Sequence, residues 1–445
     1  MKHDWNERLW WDKLAHVCQR WRHLIYECAF RLGISIRCTN TNGTRIVDML
    51  EQLPPLPLFI NYRQPWNTTL TEQEEFGIYH ALQLHDRVRH IDLELPPSIL
   101  HRVFVLPDEE FPILEHLSIS LGTTTENILP LTLPDTFRAP NLRHLTLPGT
   151  RPQGELQLLT STVSLVTLVL SDIKTSTYFH PRLLVTRLQS LPQLKELSIG
   201  FSTPIPCPST ERELICEQGA PVTLPSLTVL QFKGASGYLE SLVAQIRASR
   251  LERLRITLFN QTTFVPPHQT GFALPHLSHL INITEEFKFL SANIVFDTDE
   301  VYITAGDDVS LWDDRAPFLL RVMCDQLSWQ IKCASQICQS FTFALSGVEN
   351  LALHHDLSPW ESIQWRDAID SITAWHDLLR SFIAVKVLYI DRYFTKELAR
   401  ALQVDGVRLD LGFLPNLRFV SVDALDNLFT SFINNRQVVG RPVQF

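Results

Sequence analysis

One eight-residue phrase returns along this chain and constrains its fold more than any other feature. The phrase is P-x-L-x-x-L-x-Ω, where Ω is apolar. It stands as Pro112-Ile-Leu114-Glu-His-Leu117-Ser-Ile119, as Pro140-Asn-Leu142-Arg-His-Leu145-Thr-Leu147 and as Pro192-Gln-Leu194-Lys-Glu-Leu197-Ser-Ile199. Further copies are Pro225-Ser-Leu227-Thr-Val-Leu230-Gln-Phe232 and Pro415-Asn-Leu417-Arg-Phe-Val420-Ser-Val422. Copies without the proline lie at Val88 to Leu93, Leu165 to Leu170, Leu251 to Ile256, Val348 to Leu353 and Val385 to Ile390. One copy, Pro275 to Asn282, loses its last apolar position. The last two apolar positions of the phrase, L-x-Ω, alternate as they do in a strand with one buried face.

The central positions Ile91, Leu117, Leu145, Leu168, Leu197, Leu230, Leu254 and Leu280 are 26, 28, 23, 29, 33, 24 and 26 residues apart. Ile36 and Ile60 extend the series upstream, and Leu351, Leu388 and Val420 continue it with a looser rhythm. Such a period is that of leucine-rich repeats, in which each unit buries its apolar face only against its neighbours. The segments between phrases carry helical spacing. Leu239, Leu242, Val243 and Ile246 make one apolar stripe, and Ile369, Ile372, Leu379 and Phe382 make another. Thr71-x-x-Glu74 has the chemistry of a capping box and opens a helix through Ala81. Asn293 to Phe296 and Val301 to Ile303 read as two extra strands joined by the acidic turn Asp297 to Glu300. The expected fold is α/β: a leucine-rich-repeat solenoid, a horseshoe of parallel strands with outer helices over residues 33–430, followed by a tail over 431–445.

A globular core would be strained by 445 residues, whereas a repeat array is not limited in this way. A net charge of −9 argues against nucleic acid, whose phosphates call for a basic excess. No apolar run is long enough to span a bilayer, and the first residues have no apolar core of leader type, so neither membrane nor secretion is expected. Eight scattered cysteines without a CxxC pair fit free thiols in the cytoplasm or nucleus.

No GxGxxG, GxxxxGK[ST], GxSxG or HExxH is present, so no enzyme activity and no cofactor is expected. His354, His355 and Asp356 form the most metal-like cluster, but adjacent strand residues point to opposite faces. The acidic run Asp297, Asp299, Glu300, Asp307, Asp308, Asp313 and Asp314 lacks the order of a calcium loop. No metal site is assigned.

Near the N-terminus, Trp11, Leu14, Cys18, Trp21 and Ile25 fall on one helical stripe, which predicts a continuous helix burying two tryptophans. The stretch from Trp11 through Val17, Cys18, Trp21, Arg22 and Leu24 to Ile25 resembles the second half of an F-box, whose pattern runs roughly L-x-x-V-C-x-x-W-R-x-L-I. The order of a partial box over residues 1–32 and then a loosely regular repeat domain resembles the F-box-like family of mushroom-forming fungi. FPILEHLSI and LERLRITLFN are similar to phrases of that family. The front helix of the box, L-P-x-E-[LI]-L, has no counterpart ahead of Trp11, so either the chain start is incomplete or the truncated box docks its adaptor with less than normal affinity. The resemblance implies a substrate receptor of a Skp–cullin–F-box ubiquitin ligase. Trp11, Leu14, Val17, Trp21, Leu24 and Ile25 would then hold a Skp-type adaptor, and the repeats would select an unknown protein target. The alternative is a stand-alone scaffold whose N-terminal helix only caps the first repeat. Burial of Trp11 and Trp21 would mark a cap, and their exposure on an apolar patch would mark a dock.

Residues flanking each central leucine point away from the core. That nominates His90 and Asp92, His116 and Ser118, His144 and Thr146, Glu196 and Ser198, and Arg253 and Arg255 for the concave, partner-binding face. Gln231 and Lys233 extend the Arg253 and Arg255 pair into one basic stripe.

Overall fold

The computed structural model describes residues 14–29, 31–39, 46–52, 55–63, 70–103, 110–121, 133, 137–149, 158–174, 177–202, 221–259, 274–284, 287–307, 316–324, 327–356, 372–402, 414–422, 427–438 and 440–444. The expected single array divides into two compact units. One comprises Met1–Phe179 with Thr186–Leu194, the other His180–Val185 with Lys195–Phe445.

The first unit carries strands β1 (Ile36–Thr39), β2 (Leu58–Arg63), β3 (Val88–Leu95), β4 (His116–Leu121), β5 (His144–Pro148) and β6 (Thr167–Ile173). Each pairs in parallel with the next in chain order. A parallel neighbour requires the chain to cross back over the sheet, and the helices Ile46–Gln52, Glu72–Gln83 and Pro97–Val103 lie on such crossings. The capping box forms as expected. The Thr71 hydroxyl accepts from the Glu74 N–H at 3.3 Å, and the Glu74 carboxylate accepts from the Thr71 N–H at 2.8 Å. Gly77, Ile78, Ala81 and Leu82 are the buried face of that helix.

Cross-strand register builds a buried column from Cys38, Ile60, Ile91, Leu117, Leu145 and Leu168. The column corrects one expectation: Cys38, not Ile36, stands beside Ile60, while Ile36 pairs with Leu58. Ile34, Ile36 and Cys38 are all buried, so apolar alternation alone cannot choose among them; the hydrogen-bond register does.

In the second unit β7 (Glu196–Phe201), β9 (Val229–Gly234) and β11 (Arg253–Leu258) run parallel. Beside β11 lies β14 (Phe318–Met323), then β13 (Glu300–Gly306) and β12 (Ser291–Phe296), so this stretch of the sheet runs against the chain order. β13 is antiparallel to both of its neighbours. Parallel pairing resumes from β12 to β15 (Asn350–His355), β16 (Val387–Ile390) and β17 (Phe419–Val422). A separate two-stranded ladder joins β8 (Val222–Thr223) to β10 (Ile246–Arg247). The central column survives the reversal. It runs Leu197, Leu230, Leu254, Phe318, Ala305, Ala292, Leu351, Leu388 and Val420, with every member buried. Ala305 stands beside the large Phe318, and Ala292 follows between Ala305 and Leu351.

Several local expectations change. Pro275 to Asn282 is not a strand but the helix Pro275–Ile283, with Pro275 in its first turn. Its buried residues Leu277, Leu280 and Ile281 follow helical spacing, and they fit the L-x-x-L phrase equally well. In the stripe Leu239, Leu242, Val243 and Ile246, the first three lie on the helix Ser236–Val243 and Ile246 lies on β10. Leu379 ends the helix Ile372–Leu379, Phe382 is buried beyond it, and Ile369 lies outside the described residues. The expected tail from 431 is largely structured. The helix Asn427–Val438 runs across that boundary and buries Phe432. Gln444 accepts from the Val420 N–H at 2.9 Å and donates to the Arg418 carbonyl at 2.8 Å, covering the free edge of β17. Among the described residues, no helix is long and apolar enough to cross a membrane.

Candidate functional site

On the first unit, the sheet face opposite the leucine column carries a ladder of rings. A register shift after Leu58 sets His90 beside Phe59, and His116 and His144 follow in line. Ring centroids are 4.9 Å apart for Phe59 and His90, 4.1 Å for His90 and His116, and 5.6 Å for His116 and His144. The first two pairs are parallel to within 9°. Desolvation, followed by the neighbouring His116, pushes the His90 pKa down to about 4. His116 is lowered by desolvation and then by His144. His90 is therefore held neutral at physiological pH. Imidazole lone pairs lie in the ring plane, so parallel stacked rings cannot converge them on one ion. Among the described residues, no group of His, Cys, Asp and Glu could hold a metal.

The next row on this face is Asn61, Asp92, Ser118 and Thr146. Asp92, nominated for the partner-binding face, is only 8% exposed. It accepts from Arg63 Nη2 at 2.9 Å and Nε at 3.3 Å, and from Asn61 Nδ2 at 3.4 Å. A carboxylate tied to two neighbouring donors shapes the face rather than offering free charge. Arg89 and Glu115 pair at 2.9 Å on the adjoining residues.

The opposite face of the second unit is richer in cations. Ser198, Gln231 and Arg255 share one row, and Glu196, Val229 and Arg253 share another. Gln231 Nε2 donates to Glu196 at 3.4 Å. The basic stripe expected from Arg253, Arg255, Gln231 and Lys233 is rearranged: Lys233 aligns with Thr257, not with Arg255. Beyond Thr257, in the same row, stands Arg321 of β14. Arg321 bonds Glu300 at 3.0 Å and lies 5.2 Å over the Tyr302 ring. Thr257 and Arg321 were not nominated from the sequence. The alternation Phe318, Leu320 and Val322 was the only signal of β14, in a run with no L-x-x-L phrase.

At the N-terminus the continuous helix is interrupted. The helix Gln19–Glu27 starts after Cys18, whose backbone is extended, and a turn joins Val17 to Leu14. Arg22 Nε holds this turn by donating to the Ala15 carbonyl at 3.0 Å. Trp11 lies outside the described residues. Leu14 is half-buried, whereas Val17, Trp21 and Leu24 are 64%, 48% and 46% exposed. Ile25 is 2% exposed, and Ala29 is also buried. The segment thus has an inward contact through Ile25 and an outward apolar patch through Val17, Trp21 and Leu24.

Of the metal-like groups weighed in the sequence, His355 stacks on Tyr393 at 4.6 Å, and its pKa is lowered by burial. Asp308, Asp313 and Asp314 lie outside the described residues.

In each unit, repeated strands share a buried apolar column with a polar face opposite, an α/β architecture of stacked strand repeats. No protein-family model matches the chain, and no curated protein matches it. Among solved structures, it is similar to the crystal structure of the leucine-rich-repeat-containing protein LegL7 from Legionella pneumophila. That match has 12% identity, covers 92% of this chain and 98% of the other, and has a TM-score of 0.29.

Proposed function

We propose that the chain is a non-enzymatic protein-interaction scaffold, and that it acts as an F-box-like substrate receptor of a Skp–cullin–F-box ubiquitin ligase. On this reading the N-terminal segment docks a Skp-type adaptor while the polar sheet faces select a protein target. Chemistry belongs to the partner subunits. The exposure of Trp21 together with Val17 and Leu24 carries the proposal. An apolar cluster left in water has a cost that burial against a partner removes, and an indole is among the side chains favoured at interface centres. A cytoplasmic or nuclear location goes with this reading, as do Cys18, Cys28, Cys38, Cys333 and Cys338, none of them in a disulfide.

The test is co-purification of the full chain with a Skp-type adaptor. Trp21→Ala and Val17→Asp are expected to abolish capture while leaving unfolding unchanged. The buried Ile25 favours a second reading, in which the helix caps the first repeat and binds nothing. Capture of no adaptor by the unaltered chain, with Ile25→Ala opening the first unit to proteolysis, would establish the cap alone.

A further inference from the structure

Two thiols meet where β14 joins the helix layer of the second unit. Cys324 follows β14 directly, and Cys333 lies nine residues later on the helix Leu327–Ser340. Both side chains are 2% exposed, and the Cys333 thiol donates a hydrogen bond to the Cys324 sulfur. Backbone and amide bonds hold the junction around them. The Cys324 N–H donates to the Asp299 carbonyl at 2.6 Å. Gln330, buried one helical turn before Cys333, donates through Nε2 to the Asp297 carbonyl at 2.7 Å and to the Cys324 carbonyl at 2.8 Å. One side chain thus gathers the turn between β12 and β13, the end of β14 and the helix, with the thiol pair one turn further on. Cys338, on the same helix, is buried too, but there burial alone raises the thiol pKa.

We propose that Cys324 and Cys333 form a reversible intrachain disulfide when a hydroperoxide reaches them, a redox lock that fastens the end of β14 to the helix. The closed junction protects the thiols. The hydrogen bond to Cys324, and then burial, raise the Cys333 pKa, so little thiolate forms there. Reaction starts when the helix lifts locally from β14, an opening that folded chains sample without unfolding. One thiolate then attacks the terminal oxygen of the hydroperoxide. The O–O bond breaks, the alkoxide leaves and takes up a proton, and a sulfenic acid remains. The second thiol, returned to contact as the junction closes, attacks the sulfenic sulfur, and its proton leaves with the hydroxyl as water. Two electrons have passed from the two thiols to the peroxide. The sulfurs must close from hydrogen-bond contact to about 2.05 Å, and a small thiol reverses the bond by exchange. Transient disulfides of this kind are the ones met in compartments that keep other thiols reduced. The inference goes beyond the adaptor reading and does not depend on it.

The test exposes the folded full chain to graded hydrogen peroxide, alkylates the remaining thiols and maps the peptides by mass spectrometry without reduction. The expected result is a Cys324–Cys333 linkage, the loss of two alkylatable thiols and a thermal midpoint raised by several degrees, all reversed by dithiothreitol. Cys324→Ser and Cys333→Ser should each abolish the linkage and the shift, while Cys338→Ser should leave both. The peptide map of the unaltered chain decides the matter where a serine variant folds poorly. Retention of both thiols at peroxide doses that fully oxidise the exposed Cys18 would overturn the proposal. So would a linkage that appears only in denaturant, that joins Cys338 or a second chain instead, or that forms without raising the midpoint.

Discussion

Glu240 caps the helix Pro275–Ile283 by bonding a backbone N–H 36 residues later in the chain. Its carboxylate accepts from the His276 N–H at 2.8 Å and from the Leu277 N–H at 3.0 Å, in the first turn of Pro275–Ile283. That helix has no side-chain cap of its own. A carboxylate at this end satisfies two unpaired donors and opposes the positive end of the helix dipole. Burial raises the Glu240 pKa, and the two N–H donors counter part of that rise. Replacing Glu240 by Ala should cost about 1–2 kcal/mol, read as a shift in the urea midpoint, with Glu240→Gln recovering part of the loss. An unshifted midpoint for the alanine variant would mean that the cap contributes nothing.

Leu197 stands in register with Leu230, and Leu230 with Leu254, all of them fully buried. Leu197→Ala removes most of a fully buried side chain and leaves a void in the column. The expected cost is about 2–5 kcal/mol, with a lowered thermal midpoint. Ser198→Ala, on the opposite face of the same strand, serves as control and should change stability by less than ~0.5 kcal/mol.

Acidification should destabilise the first unit through its ring ladder. The His90 pKa is pushed down to about 4 in the folded chain, below its unfolded value of roughly 6.5. A histidine held neutral by the fold contributes no penalty above that unfolded value. As pH falls from about 6.5 to about 4, the unfolded chain binds the proton first, and stability drops across this window. Allowing for solvent at the ring edge, the loss is on the order of 1–2 kcal/mol. His90→Phe keeps a ring between Phe59 and His116 and should flatten the pH dependence of unfolding. A wild-type profile identical to that of the variant would remove the ladder as the cause.

Trp21 and Ile25 lie one helical turn apart and should behave oppositely. Ile25→Ala should destabilise by about 2–5 kcal/mol, because its side chain is buried. Trp21→Ala should leave the unfolding midpoint within ~0.5 kcal/mol of the unaltered chain, as a largely exposed side chain does. Equal destabilisation by both would point to a purely capping helix.

Local pattern along the chain specifies the repeat unit, most of the strands that bear the phrase, the capping box at Thr71 and the alternation that turns His116 and Ser118 away from Leu117. These follow from short-range periodicity and from hydrogen bonds spanning three residues. It also marked the acidic hairpin around Asp297, whose flanking runs alternate. Tertiary structure decided what depends on partners distant in the chain. Cys38 rather than Ile36 joins the column because register is a property of two strands, and both residues have the same parity. Leu280 went to a helix because the spacing of Leu277, Leu280 and Ile281 suits either element, and Glu240 supplies the missing cap from another repeat. Lys233, Thr257 and Arg321 met because β14 inserts beside β11, after an excursion of about 60 residues that no local pattern encodes. Trp21 and Ile25 share one apolar pattern, and only the packing of the helix fixed which of them faces the core and which faces water.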